Sequence, residues 1–268
     1  MDDKYSFLMS VYYKEKPEYL QQSIESILHQ TAPTDDFVLV CDGPLTPELD
    51  SVIAQYSSLH VVRLKENGGL GRALNEGMKH CQHDLIARMD SDDISRPDRC
   101  ERELRVFRDH PEVDVVSGTI EEFITSPAEV YSRRVLPERS AEIVEFAKKR
   151  NPFNHPAVMY RKSAVEAAGG YKDFYLLEDY FLWVRMLLAG SKGYNIQEPV
   201  LWMRAGSDLY KRRGGWEYVR SEKKLFSYML GKEFINKGEY TRAVVSRTAG
   251  AMVPNWLRSV LYKKVLRN

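Results

Sequence analysis

Short apolar segments alternate with amphipathic segments along the first 123 residues of the chain, and this alternation limits the folds available to it. The apolar segments are residues 5–13, 36–42, 60–64, 84–89 and 113–123. Because most of them are continuously apolar, they are typical of strands that are buried on both faces. The segments between them have helical spacing, as the apolar residues of the first one show: Leu20, Ile24, Ile27 and Leu28. The sequence therefore predicts an α/β fold around a mostly parallel sheet.

The rest of the chain has a different pattern. Residues 125–140 resemble a loop, and a further helix is predicted over residues 178–189. From residue 206 the pattern is helical, with helices predicted over 216–230, 240–252 and 256–267. We therefore expect an α/β domain over residues 1–205, followed by a helical extension over residues 206–268.

The formal net charge of +1 conceals an unequal distribution of charge. Residues 204–268 contain 15 Lys and Arg against 5 Asp and Glu, whereas residues 1–203 contain 24 against 33. A basic extension on an acidic body predicts an anionic partner, either nucleic acid or a membrane surface. Trp256, Leu257, Val260 and Leu261 share a face of the last helix, which favours a membrane surface over nucleic acid. The alternative is that these helices pack on the α/β domain.

The cellular compartment is predicted from the lack of a membrane-spanning run, a secretory signal and a disulfide pattern in the sequence. The apolar runs are far shorter than the ~20 residues needed to cross a bilayer, and residues 1–10 lack the basic start of a secretory signal. The three cysteines, Cys41, Cys81 and Cys100, show neither a disulfide pattern nor metal-ligand spacing. We therefore expect a cytoplasmic protein that lies peripherally at the inner face of the membrane.

Three carboxylates crowd into four positions at the end of the fourth predicted strand. They belong to Asp90, Asp92 and Asp93, and their like charges repel one another at this spacing. A single Asp would suffice to cap the helix that begins at Pro97, so three favour a divalent cation, Mn²⁺ or Mg²⁺, shared with a phosphate-bearing substrate. Asp42 ends the second predicted strand and is expected at the same edge of the sheet, where α/β proteins bind ligands.

Three other polar segments each allow two interpretations. The glycine-rich turn from Asn67 to Arg72 either cradles a phosphate or is simply a tight turn, since Leu74 occupies the third-glycine position of the dinucleotide fingerprint. The pair Glu178-Asp179 either provides a general base or complements a helix dipole. The cationic residues Arg204, Lys211, Arg212 and Arg213 either clamp a diphosphate or form a solvated face.

Six segments of the chain resemble glycosyltransferase family two and occur in that family's order. They are SVYYKEKPEYLQQSIESILHQT, VLVCDGP, NGGLGRALNEG, ARMDSDDISRPDR, NPFNHPAVMYRKSAV and LLEDYFLWVRML, within residues 5 to about 205. The resemblance implies an inverting, nucleotide-sugar-dependent enzyme with the GT-A fold, a Rossmann-like nucleotide-sugar-binding domain. The segment MRAGSDLYKRRGG is similar to bacterial enzymes of capsule, O-antigen and exopolysaccharide assembly.

The resemblance also implies roles for individual residues. Ser10, Val11, Tyr12, Asp42, Arg72, Asn75, Asp90 and Asp92 would bind the nucleotide sugar, with Asp42 accepting the uracil N3–H. Cys41 replaces the first Asp of the family's usual Asp-Asp pair. Asp93, Asp92 and His155 would contact the metal, and Asp179, in preference to Glu178, would be the catalytic base. Arg204, Arg212 and Arg213 would contact the acceptor or the diphosphate.

The expected reaction is transfer of a hexosyl or N-acetylhexosaminyl group from a UDP-sugar to a polyprenyl-diphosphate-linked or growing glycan. No nucleic-acid partner is expected. The rival class is a metal-dependent nucleotidyltransferase acting on sugar phosphates, which would release pyrophosphate. Such enzymes usually have a glycine-rich basic loop near the N-terminus, where this chain has Ser10-Val11-Tyr12-Tyr13.

Overall fold

The computed structural model describes residues 4–205 and 216–252 and contains a nine-stranded sheet with helices on both faces. The strands are β1 (Ser6–Val11), β2 (Asp36–Cys41), β3 (Leu59–Arg63), β4 (Leu85–Asp90), β5 (Ile94–Ser95), β6 (Val115–Phe123), β7 (Val130–Arg134), β8 (Val158–Arg161) and β9 (Gly193–Arg204). The helices are α1 (Pro17–Leu28), α2 (Pro47–Ile53), α3 (Leu70–His80), α4 (Arg99–Asp109), α5 (Ser140–Ala147), α6 (Lys162–Ala167), α7 (Glu178–Leu188), α8 (Trp216–Gly231) and α9 (Lys237–Met252). The strand order is β3-β2-β1-β4-β8-β6-β9-β5, and β7 pairs with β6.

The first half of the sheet is parallel, as the sequence predicts. β2 pairs with β1 and β3, and β1 pairs with β4, all in parallel. The strands are continuously apolar because both faces are covered: Phe7 and Met9 belong to one core cluster, while Leu8 and Val40 belong to the cluster on the opposite face. Since the carboxyl ends of these strands share one edge, Asp42 and Asp90 are brought to that edge.

The second half of the sheet is mixed. β8 is antiparallel to β4 and β6, while β6 is parallel to β9, and β5 is antiparallel to β9. Residues 125–140, expected to be a loop, contain β7, which forms an antiparallel pair with β6. The parallel arrangement predicted from the sequence therefore holds from β3 to β4 and gives way to mixed pairing beyond β4.

The helical extension packs on the α/β domain. Leu225, Phe226 and Met229 of α8 share an apolar cluster with Tyr180 and Val184 of α7. For α8, therefore, the alternative that the C-terminal helices pack on the α/β domain is correct. The helix expected over residues 256–267 lies outside the described part of the chain. Across residues 4–205 and 216–252, we find no helix with the length and apolar character needed to cross a membrane.

Candidate active site

The first acidic residue of the site is fixed by a buried cation. Asp90 closes β4 and lies beside Ser10 of β1 in the strand register. Two residues earlier on the same strand, and so on the same face, Arg88 is fully buried and forms an ion pair with Asp90. Its Nε and Nη1 atoms are buried with no hydrogen-bond partner among the described residues. Arg88 therefore stabilises the acidic cluster and does not reach the surface.

The two acids that follow lie in a turn held by neighbouring elements. The Oδ1 atom of Asp93, which is buried, accepts a 2.8 Å hydrogen bond from the backbone N–H of Arg204. Ser23 of α1 donates its hydroxyl to the carbonyl oxygens of Ser91 and Asp93. Burial, the charge of Asp90 and that of Glu15 raise the pKa of Asp92 to about 7. Burial and the charge of Asp92 also raise the pKa of Asp93 well above its usual range.

These carboxylates fit a hard divalent cation. Mg²⁺ is usually held by one or two carboxylates together with substrate phosphates. Burial and the repulsion between the carboxylates raise the pKa of Asp92 and of Asp93, and a cation would offset both effects. Within residues 4–205 and 216–252, however, no three His, Cys, Asp or Glu side chains form a group that could hold a metal ion by themselves. A cation at this position would have Asp92 and Asp93 as its protein ligands, with the other ligands supplied by substrate or water.

His155, which the family resemblance implied as a metal ligand, has a different partner in the structure. It lies in a short 3-10 turn before β8, where the ring is buried and its Nε2 lies 2.9 Å from the hydroxyl oxygen of Tyr171. Burial and the nearby charge of Arg88 lower the pKa of His155 well below its usual range, so the ring is neutral. The structure thus gives His155 a packing and hydrogen-bonding role beneath the site.

Asp42 connects the end of β2 to the glycine-rich turn. Its Oδ1 accepts the N–H of Gly68 at 2.8 Å, and its Oδ2 accepts the N–H of Gly69 at 3.0 Å. Gly69 has φ +85°, a left-handed conformation that favours glycine. Each carboxylate oxygen retains a second lone pair that can accept a nucleotide N–H. The turn and Asp42 therefore form one unit at the carboxyl edge of the sheet.

The other residues expected to bind nucleotide differ in how far they are engaged by the protein itself. Val11 is buried, and its carbonyl accepts the N–H of Asp42 at 2.8 Å, while Tyr12 is partly exposed. Arg72 is exposed and pairs with Glu66 at 3.0 Å. The amide of Asn75 makes two 2.8 Å hydrogen bonds to the backbone of Tyr171, so it joins α3 to the segment that precedes α7.

The expected catalytic base lies at the start of α7. The Oδ1 of Asp179 accepts the N–H of Tyr180 at 2.7 Å, and its Oδ2 accepts a 2.6 Å hydrogen bond from the amide of Asn151. Burial and the charge of Asp179 raise the pKa of the neighbouring Glu178 to about 7. The start of α7 lies against the start of α3, since a Cβ at Gly71 would lie 3.9 Å from the Cβ of Glu178.

Arg204 contacts the acidic turn and two aromatic rings of the protein. Its Nε donates to the carbonyl of Asp92 at 2.9 Å, and its Nη2 donates to Gln22 at 2.7 Å. The guanidinium lies over the rings of Tyr19 and Phe123, 3.8 and 4.6 Å from their centres. Arg204 therefore fixes the acidic turn from β9. Arg212 and Arg213 lie outside the described residues.

Sequence reasoning missed two contributors to the site. Glu15 follows β1 and accepts a hydrogen bond from the hydroxyl of Ser91 at 2.7 Å. Its position could have been predicted, because loops at the carboxyl edge of a parallel sheet surround the ligand. Asn151, 28 residues before Asp179, had no local signal, since only the folded chain brings the two together.

Comparison with known proteins agrees with this architecture. The family model described as Glycosyl transferase family 2 matches residues 6–169. A UDP-Gal:α-D-GlcNAc-diphosphoundecaprenol β-1,3-galactosyltransferase of Escherichia coli is 37% identical, covering 98% of this chain and 97% of that protein. The amylovoran biosynthesis glycosyltransferase AmsE of Erwinia amylovora is 38% identical over 97% of this chain and 98% of its own length.

Solved structures show the same fold at low identity. The crystal structure of S. aureus TarS 1–349 in complex with UDP-GlcNAc matches with a TM-score of 0.70 at 16% identity, covering 98% of this chain and 76% of that one. The fold is thus that of a GT-A glycosyltransferase. The chain belongs to glycosyltransferase family 2, as its sequence motifs indicate. The nucleotidyltransferase alternative finds no support in these comparisons.

Proposed function

We propose that this protein is an inverting glycosyltransferase that transfers a hexosyl or N-acetylhexosaminyl group from a UDP-sugar to a polyprenyl-diphosphate-linked glycan. The reaction belongs to the assembly of a bacterial surface polysaccharide such as an O-antigen, capsule or exopolysaccharide. The observation that carries the proposal is geometric: Asp42 and Asp90 lie at one edge of the sheet, and the helix that follows the turn held by Asp42 approaches Glu178, whose Cβ would lie 3.9 Å from a Cβ at Gly71. The similarity to the E. coli galactosyltransferase, which extends over nearly the full length of both chains, supports UDP-galactose as the first donor to test.

The residues divide the chemical work between them. Asp179 accepts the proton of the acceptor hydroxyl as the hydroxyl oxygen forms a bond to the anomeric carbon. Attack comes from the face opposite the diphosphate, so the anomeric C–O bond to UDP breaks with both electrons leaving on the diphosphate. An α-linked donor therefore gives a β-linked product. Asp42, with the turn that it holds, orients the nucleotide.

Asp92 and Asp93 would hold Mn²⁺ or Mg²⁺ beside the donor diphosphate. When bound, the cation supplies positive charge to the leaving diphosphate. Arg204 keeps the two carboxylates in place through its contacts with the backbone of Asp92 and the side chain of Asp93. Arg88 pairs with Asp90, which would leave Asp92 and Asp93 for the cation.

The proposed location is the cytoplasmic face of the membrane. One face of α8 is exposed and carries Arg220, Lys223 and Lys224, and Trp216 at its start is 66% exposed. A basic helix face with an exposed Trp suits the surface of an anionic bilayer. We expect binding to phosphatidylglycerol vesicles that weakens with salt and with a Lys223→Ser/Lys224→Ser variant. Equal binding of that variant, or equal binding to phosphatidylcholine vesicles, would contradict this surface.

The reaction is tested with UDP-galactose, a synthetic lipid-linked α-GlcNAc diphosphate and Mn²⁺. Release of UDP and a β-linkage in the product are expected, and an α-linkage would contradict inversion. Asp179→Ala should lower turnover by ~10²–10⁴-fold. The exposed Asp173→Ala, which removes an acid six positions earlier, should leave turnover unchanged. Turnover retained in Asp179→Ala would remove the base assignment.

The cation is tested separately. Chelation with EDTA should stop UDP release by the wild type, and added Mn²⁺ or Mg²⁺ should restore it. Asp93→Ala should lower turnover and raise the concentration of Mn²⁺ needed for half-maximal rate. A wild type that keeps its full rate after EDTA treatment and dialysis would contradict the cation proposal.

A further inference from the structure

The segment that follows α5 lies between the expected catalytic base and the helical extension. Its first contact comes from α7, where the hydroxyl of Tyr180 donates to the carbonyl of Ala147 at 2.6 Å. Its second contact comes from α9, where the guanidinium of Arg247 donates to the carbonyl of Lys149. Residues 147–151 are thus fixed by two helices that lie far from them in sequence.

Asn151 ends this segment, and hydrogen bonds to its side-chain and backbone oxygens fix the orientation of its amide. The Oδ1 of Asn151 accepts the N–H of Phe153 at 3.4 Å, and its backbone carbonyl accepts a 3.2 Å hydrogen bond from Arg134 of β7. With the amide oxygen engaged, Nδ2 donates to the Oδ2 of Asp179 at 2.6 Å. Asn151 is therefore held by contacts other than its hydrogen bond to Asp179.

Asp179 is consequently fixed from two sides. The N–H of Tyr180 binds one carboxylate oxygen, and Asn151 binds the other. A hydrogen bond from the backbone of its own helix fixes one oxygen, whereas the second bond, from another part of the chain, fixes the plane of the carboxylate. An amide N–H also favours the charged form of a carboxylate, which is the form that accepts a proton. Displacement of a reacting group by ~1 Å can cost ~10²-fold in rate.

We propose that Asn151 is a positioning residue for Asp179, and that α8 and α9 support turnover by holding residues 147–151. This inference rests on the proposed role of Asp179 as the base. Asn151 acts through Asp179 and contacts neither substrate. The extension therefore serves catalysis directly, in addition to any contact with a membrane.

The extension reaches the segment through a partly buried charge pair. Arg247 of α9 pairs with Glu222 of α8, which is buried, and its guanidinium lies 4.8 Å from the ring centre of Phe226. Phe226 belongs to the apolar cluster that includes Tyr180, the residue next to the base. The start of α7 and the end of α5 are therefore both held by α8 and α9.

The central experiment compares Asn151→Ala with Lys149→Ala, using UDP-galactose and the synthetic lipid-linked α-GlcNAc diphosphate with Mn²⁺. Lys149 is a matched control in the same segment, because its exposed side chain makes none of the contacts above while its carbonyl remains. We expect Asn151→Ala to lower kcat by ~10–100-fold, with KM and UDP affinity within about 3-fold of wild type. We expect Lys149→Ala to match the wild type. Wild-type kcat in Asn151→Ala would overturn the proposal.

A double variant separates positioning from a general structural effect. If Asn151 acts through Asp179, adding Asn151→Ala to Asp179→Ala should cause no further loss of turnover, because the group that it positions is gone. Losses that multiply would contradict the proposal. Should turnover of Asp179→Ala fall below detection, the pH profile decides: the acidic limb of kcat should move to higher pH in Asn151→Ala. An unmoved limb would contradict the proposed contact.

The outcomes distinguish this inference from the proposed function. Full turnover in Asp179→Ala would remove the base, and the positioning role with it. Loss of turnover in Asp179→Ala together with wild-type kcat in Asn151→Ala would remove only the positioning role.

The part played by the extension is tested with Arg247→Ala against Arg242→Ala, which removes the same charge from an exposed position of α9. We expect Arg247→Ala to lower kcat about 3–10-fold without changing UDP affinity, and to cause no further loss in Asn151→Ala. Arg247→Gln serves in its place if the alanine variant unfolds, as far-ultraviolet circular dichroism would show. Unchanged kcat in a folded Arg247 variant would contradict the role of α9.

Discussion

Asp42 holds the glycine-rich turn, and we propose that it also orients the nucleotide. Its carboxylate oxygens accept the N–H groups of Gly68 and Gly69. Each oxygen has a further lone pair, which in the proposed role would accept the nucleotide N–H at the same edge of the sheet. Because the side chain is buried, losing either hydrogen bond leaves a polar group without compensation from water. The shape of the turn therefore depends on a carboxylate, which is the only side chain of this size with two acceptor oxygens.

Asp42→Asn should weaken both tasks. The asparagine can accept only one of the two N–H groups, and its NH₂ faces the other donor, so the cost is ~1–3 kcal/mol. We expect a melting temperature several degrees lower and a UDP dissociation constant about 10-fold higher, since ~1.4 kcal/mol is tenfold. Differential scanning calorimetry and isothermal titration measure the two effects. Asp50→Asn, which removes an exposed ion pair with Arg63, is the control and should change neither. Unaltered UDP affinity would limit Asp42 to a structural role.

Glu103 gives the fold a pH dependence that is independent of the active site. Burial raises the pKa of Glu103 from 4.5 to about 7, although Arg99 lies 3.0 Å away and partly opposes this. Because the folded carboxyl binds its proton more tightly than the unfolded one, its stabilising contribution is complete below about pH 4.5 and is lost as pH rises toward 7. We expect the melting temperature of Glu103→Gln to fall less than that of wild type between pH 5 and 7.5. Glu101→Gln, on the same helix, should keep the wild-type slope, and equal slopes in all three would contradict this pKa.

Residues of the site were predictable from sequence where the chemistry was local. Asp90, Asp92 and Asp93 are adjacent and follow an apolar strand, so both their repulsion and their place at the sheet edge can be read from the sequence. The partner of Asp179 could not be predicted, because Asn151 is brought to it by contacts of residues 147–149 with α7 and α9. Arg204 was identified as a cation, but nothing local shows that its guanidinium lies over Tyr19 and Phe123. Its expected contact with the acceptor or diphosphate stays a prediction.

At the scale of elements, α3 approaches the sheet closely at a glycine. A Cβ added at Gly77 would lie 2.7 Å from Val40 Cγ2 and closer still to Leu8 Cδ1, both on buried strands. Contacts this short force the helix away from β1 and β2 or move their side chains from preferred rotamers. The close approach of α3 to β1 and β2 therefore depends on Gly77 having no side chain.

Gly77→Ala should destabilise the protein despite the better helix propensity of alanine. Overpacking costs ~1–3 kcal/mol, whereas replacing a helical Gly by Ala gains ~1 kcal/mol, so a net loss of up to ~2 kcal/mol is expected. Gly231→Ala is the matched control, because a Cβ at the end of α8 would meet no atom within 4 Å. Urea denaturation should show a lower midpoint for Gly77→Ala and an equal or higher one for Gly231→Ala. A neutral Gly77→Ala would mean that α3 can shift outward at no cost.

The elements that sequence patterns predicted best are those buried on both faces. β1, β2 and β4 are mostly apolar runs separated by amphipathic helices, and the parallel pairing follows from that alternation. β8 has only four residues, and β9 contains Pro199 and two register shifts against β6. Short or irregular strands carry little periodicity, and their pairing is decided by partners distant in sequence. The strands β7, β8 and β9 and their mixed pairing were therefore not predicted from the sequence.

For the whole molecule, the central question is what the helical extension does to the α/β domain. Phe174, Leu177, Tyr180 and Val184 lie on the domain, and they are buried together with Leu225, Phe226 and Met229 of α8 and with Ile235. The basic charge of the extension is compatible with this packing, since α8 keeps Arg220, Lys223 and Lys224 on its exposed side. One helix can thus present an apolar face to the domain and a cationic face to an anionic surface.

Truncation tests this shared core. Burying each of the four domain side chains contributes ~1.5–3 kcal/mol, and a domain of ordinary stability has only ~5–15 kcal/mol in total. A chain ending at residue 205 should therefore unfold or aggregate at room temperature, with strong binding of a hydrophobic dye. A chain ending at residue 252 keeps α8 and α9, so it should melt within a few degrees of the full chain and bind UDP with equal affinity. Because the segment beyond residue 252 contains Trp256 and four Lys or Arg residues, this shorter chain also shows how much vesicle binding remains on α8 alone. A folded, UDP-binding chain of residues 1–205 would show that the apolar cluster is dispensable, and the extension would then act only as a contact to the membrane.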